Sequence, residues 1–313
     1  MNKVAYLVLG QAKDSHARRI LEVLNARGEN AYLMQSNDFP SAMTFGFSPN
    51  LGDGELSLPG GDKLILSEIK AVFWRGFSGV TDEDTRANYM KPDGIAAKDS
   101  MACLRTWFLL GGSTRWVNGW QAFQHHQEKP LQLKKVRDLG VNIPKTYIGN
   151  DGDAIRAFYG ELAHSIFKPV FGGAHTELLT PAHMVPERFE QALSKSPITV
   201  QELIKGTNIR TYVIGKKVLS VELESEMTDF REDNDVKLSV IPTPKEISQQ
   251  SLAICDALYL KWTAIDWRRD EQGKYYFLEA NPSPMFIGFE NRSGIALSEW
   301  IVDLMIHGEV RQP

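Results

Sequence analysis

The sequence predicts an α/β region at the N-terminus followed by a larger α+β region. A strand, a glycine turn, a helix and a second strand follow one another within about the first thirty residues, which is typical of a parallel α/β unit. The second half consists mostly of strands, with only two helices among them. The length of 313 residues is about twice that of a typical domain. Together these observations favour two or three subdomains over one small module.

The composition is that of a folded protein without a general affinity for polyanions. Hydrophobic residues make up 42% of the chain and charged residues 24%, so a large core can form. The net charge of −4 excludes a global attraction to nucleic acid or to anionic lipid. Cys103 and Cys255 have no paired spacing and fit a reducing compartment better than a disulfide framework. We therefore expect a cytoplasmic protein.

Apolar runs and glycine positions predict the elements of the N-terminal region. The run Val4–Leu9 predicts a buried strand and is too short for a signal peptide or a membrane span. A helix with apolar residues over Ile20–Leu24 ends at Gly28, and a second strand follows at Ala31–Met34. Gly10 is not part of a Gly-x-Gly-x-x-Gly series, which argues against a dinucleotide site. The later elements are loops or a hairpin at Ser48–Asp62, a strand at Ile69–Arg75, a helix at Gly94–Leu110 and a return to the sheet at Arg115–Asn118.

A first domain boundary is predicted near Gly119–Phe123. The N-terminal domain then comprises residues 1–120, a central subdomain residues 121–200 and a C-terminal subdomain residues 201–313. Helices are predicted at Leu131–Leu139, Ala154–Leu162, Lys245–Leu258 and Ile295–Ile306. Strands are predicted at Thr146–Ile148, Ser165–Val170, Ile198–Ile204, Arg210–Ile214, Val218–Leu223, Thr263–Arg268 and Lys274–Ala280.

The last two predicted strands form a hairpin whose register can be counted. If Glu271–Lys274 is the loop, Asp270 pairs with Tyr275, and counting back places Asp266 opposite Glu279. Glu279 also lies inside an apolar run, where an unpaired carboxylate would be costly. The register therefore brings two acids together on adjacent strands.

These two acids share one face of the hairpin with an amide. Side chains alternate along a strand, so Glu279 and Asn281 lie on the same face as Asp266. Carboxylate and amide oxygens suit a hard cation such as Mg²⁺. The alternative is a salt-bridged or exposed pair of acids, and the nearby Asn281-Pro282 favours the metal.

Lys168 is a second candidate for a functional residue. It lies within the apolar strand segment SIFKPV and is followed by Gly172 and Gly173. A lysine in an apolar strand needs an anion, and a phosphate is an obvious one because glycines let backbone N–H groups approach its oxygens. A snorkelling surface lysine beside a glycine turn is the alternative.

Arg210 is a third candidate, at the end of the segment TVQELIKGTNIR. A guanidinium that projects from a strand is well matched to phosphate or carboxylate, and an edge-strand charge is the alternative. The pair His125-His126 has no Cys or His partner at a zinc spacing, so we interpret it as solvated or facing a substrate.

Taken together and in this order, these segments resemble the ATP-grasp superfamily. The residues that carry the resemblance are Gln201-Glu202-Leu203, Asp266 and the segment FLEANPSP, preceded by Lys129 and Lys168. The resemblance covers about residues 115–310, and FLEANPSP with Asp266 is its most specific part. It implies an α+β ATP-grasp fold in which two subdomains clasp a nucleotide, the central one as a lid and the C-terminal one as the catalytic subdomain.

Within the superfamily the chain is most similar to ribosomal-protein-S6-modification-type ligases, and among these to microviridin or graspetide peptide ligases. The supporting stretches are AVFWRG, WVN, EKPLQLKKVRDLGVNIPKT, DFRED and FENRSGIALSEWI. Two departures from the microviridin pattern concern the acceptor. Ser283-Pro284-Met285-Phe286 replaces a Gly-Gln-type segment, and Trp74-Arg75-Gly76 replaces Trp-Arg-Arg. The nucleotide chemistry is unaffected by either departure, whereas the acceptor's identity stays open.

The resemblance implies ATP and Mg²⁺ as cofactors and assigns a role to each candidate residue. Arg210 would stabilise the transferring phosphoryl group, and Arg231, with Arg75 as a weaker candidate, would bind the substrate carboxylate. Mg²⁺ would be held by Asp266, Glu279 and Asn281. The ATP contacts would be Lys129 and Lys168 to the phosphates, with Lys168 also near the adenine. Gly172 and Gly173 would belong to the lid, and the adenine would be held by the backbone of Gln201, Glu202, Leu203 and Ile204.

The activity implied is an ADP-forming, ATP-dependent carboxylate–amine or carboxylate–alcohol ligase that acts through an acyl phosphate and modifies a peptide. The partner would be a peptide or an amino acid with a carboxylate and an amine or hydroxyl acceptor. Neither a nucleic acid nor a membrane is expected, and a homo-oligomer is left open. A ligase of free amino acids or other small molecules and a non-catalytic ATP-binding regulator are the alternatives.

Overall fold

The computed structural model describes residues 4–77, 92–110, 112–171, 176–224 and 237–311. Its N-terminal region contains, in chain order, β1 (Ala5–Leu9), α1 (Ser15–Ala26), β2 (Asn30–Met34), β3 (Thr44–Ser48), β4 (Asp53–Ser57), β5 (Lys63–Ile65), β6 (Ile69–Trp74), α2 (Pro92–Leu109) and β7 (Arg115–Val117). The strands β2-β1-β6-β7 form a parallel sheet, and β3, β4 and β5 form a small antiparallel sheet. The α/β region predicted from the sequence is therefore present.

The first strand and helix form where the sequence predicts them. Every residue of β1 is buried, as expected for a parallel strand that is covered on both faces. Helix α1 begins after Asp14, whose carboxylate accepts hydrogen bonds from the N–H groups of His16 and Ala17. The stretch Ser48–Asp62, predicted as loops or a hairpin, belongs mainly to the β3–β4 hairpin. A Cβ atom on Gly54 would lie 2.1 Å from the carbonyl oxygen of the facing strand, so this close approach requires glycine.

The central region forms a second sheet. Its elements are α3 (Trp120–Gln127), α4 (Lys129–Asp138), β8 (Thr146–Gly149), α5 (Gly152–Gly160), β9 (Ser165–Pro169), β10 (Glu177–Leu178), α6 (Pro186–Leu193) and β11 (Ile198–Glu202). The strands are antiparallel in the order β10-β9-β11-β8, and we call them the small sheet. The chain leaves this sheet after Glu202.

The C-terminal region forms a five-stranded antiparallel sheet, which we call the large sheet, with the order β14-β13-β12-β15-β16. The elements are β12 (Gly206–Ile214), β13 (Lys217–Glu224), β14 (Lys237–Ile241), α7 (Lys245–Ala257), β15 (Trp262–Asp270), β16 (Tyr275–Asn281), α8 (Ile287–Ser293) and α9 (Leu297–His307). The sequence did not predict β5, α3, α6, α8, β10 and β14. Each has eight residues or fewer, too few for a clear periodicity.

The register of the β15–β16 hairpin is correct at the acids and wrong at the turn. Asp266 pairs with Glu279 as predicted, but Arg269, not Asp270, pairs with Tyr275. The Asp270 N–H instead donates to the carbonyl oxygen of Lys274 at 2.9 Å, so the loop is Glu271–Gly273, one residue shorter than expected. A β-bulge beside Asp266 adds one residue to β16 and restores the predicted pairing.

The N-terminal and C-terminal regions share one hydrophobic core. Helix α9 contacts α1, β6, β7 and β12. Buried side chains of the first sheet, such as Phe73, pack with Trp262, Phe286 and Ile301. Among the residues described here, no helix combines the length and the apolar character that a membrane crossing requires.

Asn118 joins these two regions through hydrogen bonds. It is fully buried, and its Nδ2 donates to the carbonyl oxygens of Trp262 and Pro282, at 2.7 Å each. Its Oδ1 accepts from the N–H of Lys261 at 2.6 Å and from that of Trp262 at 3.2 Å. One amide therefore connects the end of β7 to the start of β15 and to the turn after β16.

We expect Asn118→Ala to lower the free energy of unfolding by at least about 2 kcal/mol. The substitution leaves several buried main-chain groups without partners, and each such group costs about 1–3 kcal/mol. Urea denaturation measures the change. Asn150→Ala at an exposed position is the control and should change stability by no more than about 0.5 kcal/mol. Similar effects for the two variants would contradict this role.

Candidate active site

A cavity of about 280 Å³ lies between the small sheet and the large sheet. Most of the residues predicted from the sequence line it together: Lys129, Lys168, Gln201, Glu202, Leu203, Ile204, Asp266, Glu279 and Asn281. Arg210 adjoins the cavity through Asp266. Three predicted residues, Gly172, Gly173 and Arg231, lie outside the described residues.

Asp266 and Arg210 form an ion pair with two hydrogen bonds. They face each other on β15 and β12, and the guanidinium Nε and Nη2 lie 2.8 and 2.9 Å from the two carboxylate oxygens. Burial alone would lower the pKa of Arg210, but the Asp266 carboxylate reverses this effect and the pKa is raised. Arg210 therefore stays charged and neutralises Asp266.

Glu279 has its own cation. The Lys129 ammonium at the start of α4 donates a hydrogen bond to Glu279 Oε2. Burial would raise the pKa of Glu279, but the charge and hydrogen bond of Lys129 lower it to about 2. His126 lies beside this pair, and burial together with the charge of Lys129 lowers its pKa to about 4. At neutral pH the imidazole is thus uncharged, and it belongs to the site rather than to the solvated surface.

The three predicted metal ligands form a set of oxygen donors. Asp266 and Glu279 face each other across β15 and β16, and Asn281 follows on the same face of β16. The Asn281 Oδ1 accepts a hydrogen bond from the N–H of Ser283 at 2.9 Å. The part of the chain that the structure describes contains no group of three or more acidic, histidine or cysteine side chains that could hold a metal ion. A cation here would therefore need the Asn281 amide as well as the two acids, and hard oxygen donors of this kind fit Mg²⁺.

A buried glutamine holds the edge strand that carries these ligands. Gln132 on α4 donates from Nε2 to the carbonyl oxygen of Ala280 at 3.0 Å and accepts from the Ala280 N–H at 2.9 Å. Ala280 lies between Glu279 and Asn281. The amide therefore satisfies both main-chain groups of Ala280, between the two residues whose side chains reach the cavity.

On the opposite side of the cavity, Gln201 orients Lys168. The Lys168 Nζ donates to Gln201 Oε1 at 3.2 Å, and Gln201 Nε2 donates to Thr146 Oγ1 at 2.9 Å. The backbone of Gln201–Ile204 was predicted to bind adenine. In this segment, Glu202 and Leu203 already donate their N–H groups to protein carbonyls. In the ranges that the structure describes, the Ile204 N–H donates to no protein group.

Arg268 and Asn208 also line the cavity, although the sequence analysis did not identify them. Arg268 follows Asp266 by two residues, so strand alternation places both on the same face. That alternation was a signal that could have identified Arg268. Asn208 likewise precedes Arg210 by two residues on β12, but the strand was predicted to begin at Arg210, so the alternation was not extended back to Asn208.

Arg75, a weaker candidate for the substrate carboxylate, contacts the turn after β16. Its Nε lies 3.0 Å from Asp14 Oδ2, and its Nη1 donates to the Ser283 hydroxyl at 2.7 Å and to the Ser283 carbonyl. In this structure these bonds join the N-terminal region to the turn that follows the metal ligands.

The fold and the site can be compared with known proteins. The ATP-grasp ligase PsnB, in a structure with a phosphomimetic variant of a minimal precursor, Mg and ADP, is 27% identical and aligns over 97% of this chain and 99% of its own, with a TM-score of 0.84. Beta-citrylglutamate synthase B from Danio rerio is 23% identical over 81% of this chain and 62% of its own. D-alanine–D-alanine ligase from Aquifex aeolicus is 25% identical over 50% of this chain and 58% of its own. No family model matches the chain.

This chain has the ATP-grasp fold and belongs to the ATP-grasp superfamily. The predicted fold and superfamily are therefore confirmed. The chain spans about 60% of the length of the two curated relatives, at 62% and 58%.

We expect Glu279→Gln to destabilise the protein at neutral pH, because Lys129 loses its anion. In the folded protein the pKa of Glu279 is about 2, below its ordinary value of 4.5. The carboxylate therefore adds stability above about pH 4.5, and this contribution is lost as the pH falls toward 2. Urea denaturation at a series of pH values should show a difference from the wild type that narrows below about pH 4.5.

The double variant Lys129→Met, Glu279→Gln is the matched control for this prediction. It removes both charges, so it should regain much of the stability that the single variant loses at neutral pH. A difference between Glu279→Gln and wild type that does not change with pH would show that the ion pair is not its cause.

Proposed function

We propose that this protein is an ADP-forming, ATP-dependent ligase that joins a carboxylate to an amine or a hydroxyl and modifies a peptide. The observation that carries this proposal is the cavity between the two sheets, where Asp266, Glu279 and Asn281 lie together with the cations Lys129 and Lys168. Oxygen ligands and cations in one cavity fit a metal–triphosphate substrate.

The cavity offers separate places for the base and the phosphates of ATP. The Ile204 N–H is available to a ring nitrogen of adenine, and Lys168 is held beside it by Gln201. The acids Asp266 and Glu279 lie on the large sheet, where the triphosphate would be bound. This arrangement supports the predicted binding of adenine along Gln201–Ile204, where the chain passes from the small sheet to the large sheet.

Lys129 has a dual role in this proposal. Without a metal it neutralises Glu279. Bound Mg²⁺ would supply positive charge to the transferring phosphoryl group, and Asp266, Glu279 and Asn281 would hold it. Glu279 then no longer needs Lys129, whose ammonium becomes available for phosphate oxygens.

The chemistry follows from the weakness of a carboxylate as an electrophile. A substrate carboxylate oxygen attacks the terminal phosphorus of ATP, ADP leaves, and an acyl phosphate forms. The acceptor nitrogen or oxygen then attacks the acyl carbon, loses its proton, and phosphate leaves. Arg210 stabilises charge on the phosphoryl group while it stays bonded to Asp266. Enclosure between the sheets limits hydrolysis of the acyl phosphate.

A peptide substrate is supported by the similarity to PsnB, whose structures contain a minimal precursor. A ligase of free amino acids is the second candidate, because D-alanine–D-alanine ligase is among the relatives. Arg231 as a ligand of the substrate carboxylate, Gly172 and Gly173 as part of the lid, a cytoplasmic location and a homo-oligomer remain predictions. The domain boundaries near residues 120 and 200 also remain predictions.

The proposed activity predicts specific products. With ATP, Mg²⁺ and a peptide rich in acidic and in lysine, serine or threonine residues, we expect ADP and phosphate. Mass spectrometry should show the loss of one water per bond formed. Release of AMP and pyrophosphate would contradict an acyl phosphate mechanism. If the protein binds ATP but catalyses no reaction with any peptide or amino acid, the result would favour the alternative of a non-catalytic ATP-binding regulator.

Lys168→Met should weaken the binding of ATP about tenfold or more, since a hydrogen bond to a charged group contributes about 1.5–3 kcal/mol. Isothermal titration calorimetry with Mg²⁺ and a non-hydrolysable ATP analogue measures this change. The matched control is Lys195→Met, an exposed lysine in the central region, which should leave the affinity unchanged. Equal affinities of the two variants would contradict a contact between Lys168 and ATP.

A further inference from the structure

Arg268 differs from the neighbouring cations in its partners. Lys129 and Arg210 each form an ion pair with a carboxylate, and so does Arg269, the next residue on β15, with Glu222. In residues 4–77, 92–110, 112–171, 176–224 and 237–311, no carboxylate lies within ion-pair distance of Arg268. A half-buried guanidinium in a cavity wall without an acid is suited to oxygen atoms of a ligand.

Two neutral acceptors fix the orientation of Arg268. Its Nε donates to the Ile204 carbonyl oxygen at 2.9 Å, and its Nη1 donates to Asn208 Oδ1 at 2.7 Å. These bonds hold the planar guanidinium in place and leave the Nη2 amino group without an acceptor in the described ranges.

Arg268 lies between the adenine end and the phosphate end of the proposed nucleotide site. It is two residues beyond Asp266 on the same strand face, a separation of about 7 Å. Its Nε contacts Ile204, beside which the adenine would bind. A nucleotide with its base at Ile204 and its phosphates near Asp266 therefore places its sugar at Arg268.

We propose that Arg268 recognises the ribose hydroxyl groups of the nucleotide by donating hydrogen bonds from its guanidinium. This inference rests on the proposed ATP site. Arg268 is then a specificity-determining residue that distinguishes ribonucleotides from deoxynucleotides, with Asn208 and the Ile204 carbonyl as the groups that orient it.

Calorimetric titrations of the full chain with ATP and 2′,3′-dideoxy-ATP, in the presence of Mg²⁺ and without an acceptor, test the proposal. We expect the wild type to bind ATP about tenfold or more tightly than 2′,3′-dideoxy-ATP, the effect of losing charge-assisted hydrogen bonds. In Arg268→Met this ratio should fall close to one. Arg269→Met is the matched control, because that arginine pairs with Glu222, and its ratio should equal that of the wild type.

Other results would overturn the inference. If Arg268→Met weakens ATP and 2′,3′-dideoxy-ATP equally, so that the wild-type ratio persists, the residue does not recognise the sugar. If the variant weakens ATP but not adenosine, the contact is to phosphate. If Arg268→Met does not fold, the ratio of the affinities for ATP and 2′,3′-dideoxy-ATP is measured on Arg268→Lys instead. That variant keeps the positive charge but lacks the planar guanidinium. A wild type that binds no nucleotide would refute the proposed function itself, whereas ATP binding with an unchanged ratio refutes this inference alone.

Discussion

The neutralisation of two adjacent carboxylates in the cavity wall is the constraint on which the site depends. Asp266 and Glu279 lie opposite each other on neighbouring strands, and two uncompensated negative charges at this spacing would repel each other. Arg210 neutralises one and Lys129 the other. The two cations differ in kind. Arg210 is fixed by a planar pair of bonds, while Lys129 is a single ammonium on a flexible stem that can move to another anion.

Because of this difference, the two ion pairs have different roles in the site. Arg210 and Asp266 form a rigid unit on the two central strands. In the proposed function, Mg²⁺ and a phosphate would replace the contact between Glu279 and Lys129. The depressed pKa of Glu279, about 2, keeps the carboxylate ionised under any physiological condition. The depressed pKa of His126, about 4, keeps a further positive charge away from Lys129. In the proposed function, this balance of charge would suit a metal and an anion that bind together.

Buried amides hold this charged arrangement in register. Asn118 and Gln132 each use both ends of an amide to bind main-chain groups around β15 and β16. Such bonds cost little when complete and much when one partner is lost. Their positions show that the N-terminal region and α4 support the strands that carry Asp266, Glu279 and Asn281, in addition to covering a hydrophobic core.

The sequence by itself determined the main strands and helices and the grouping of Asp266, Glu279 and Asn281, because the two-residue alternation of a strand is a local property. That grouping was correct although the hairpin loop was predicted one residue too long, since a bulge compensated for the difference. Only the tertiary structure decided which cation neutralises which acid and which groups orient Arg268. Lys129 and Glu279 are 150 residues apart in the chain, and no periodicity relates them. Their contact arises because α4 packs against β16, a consequence of burial over the whole fold.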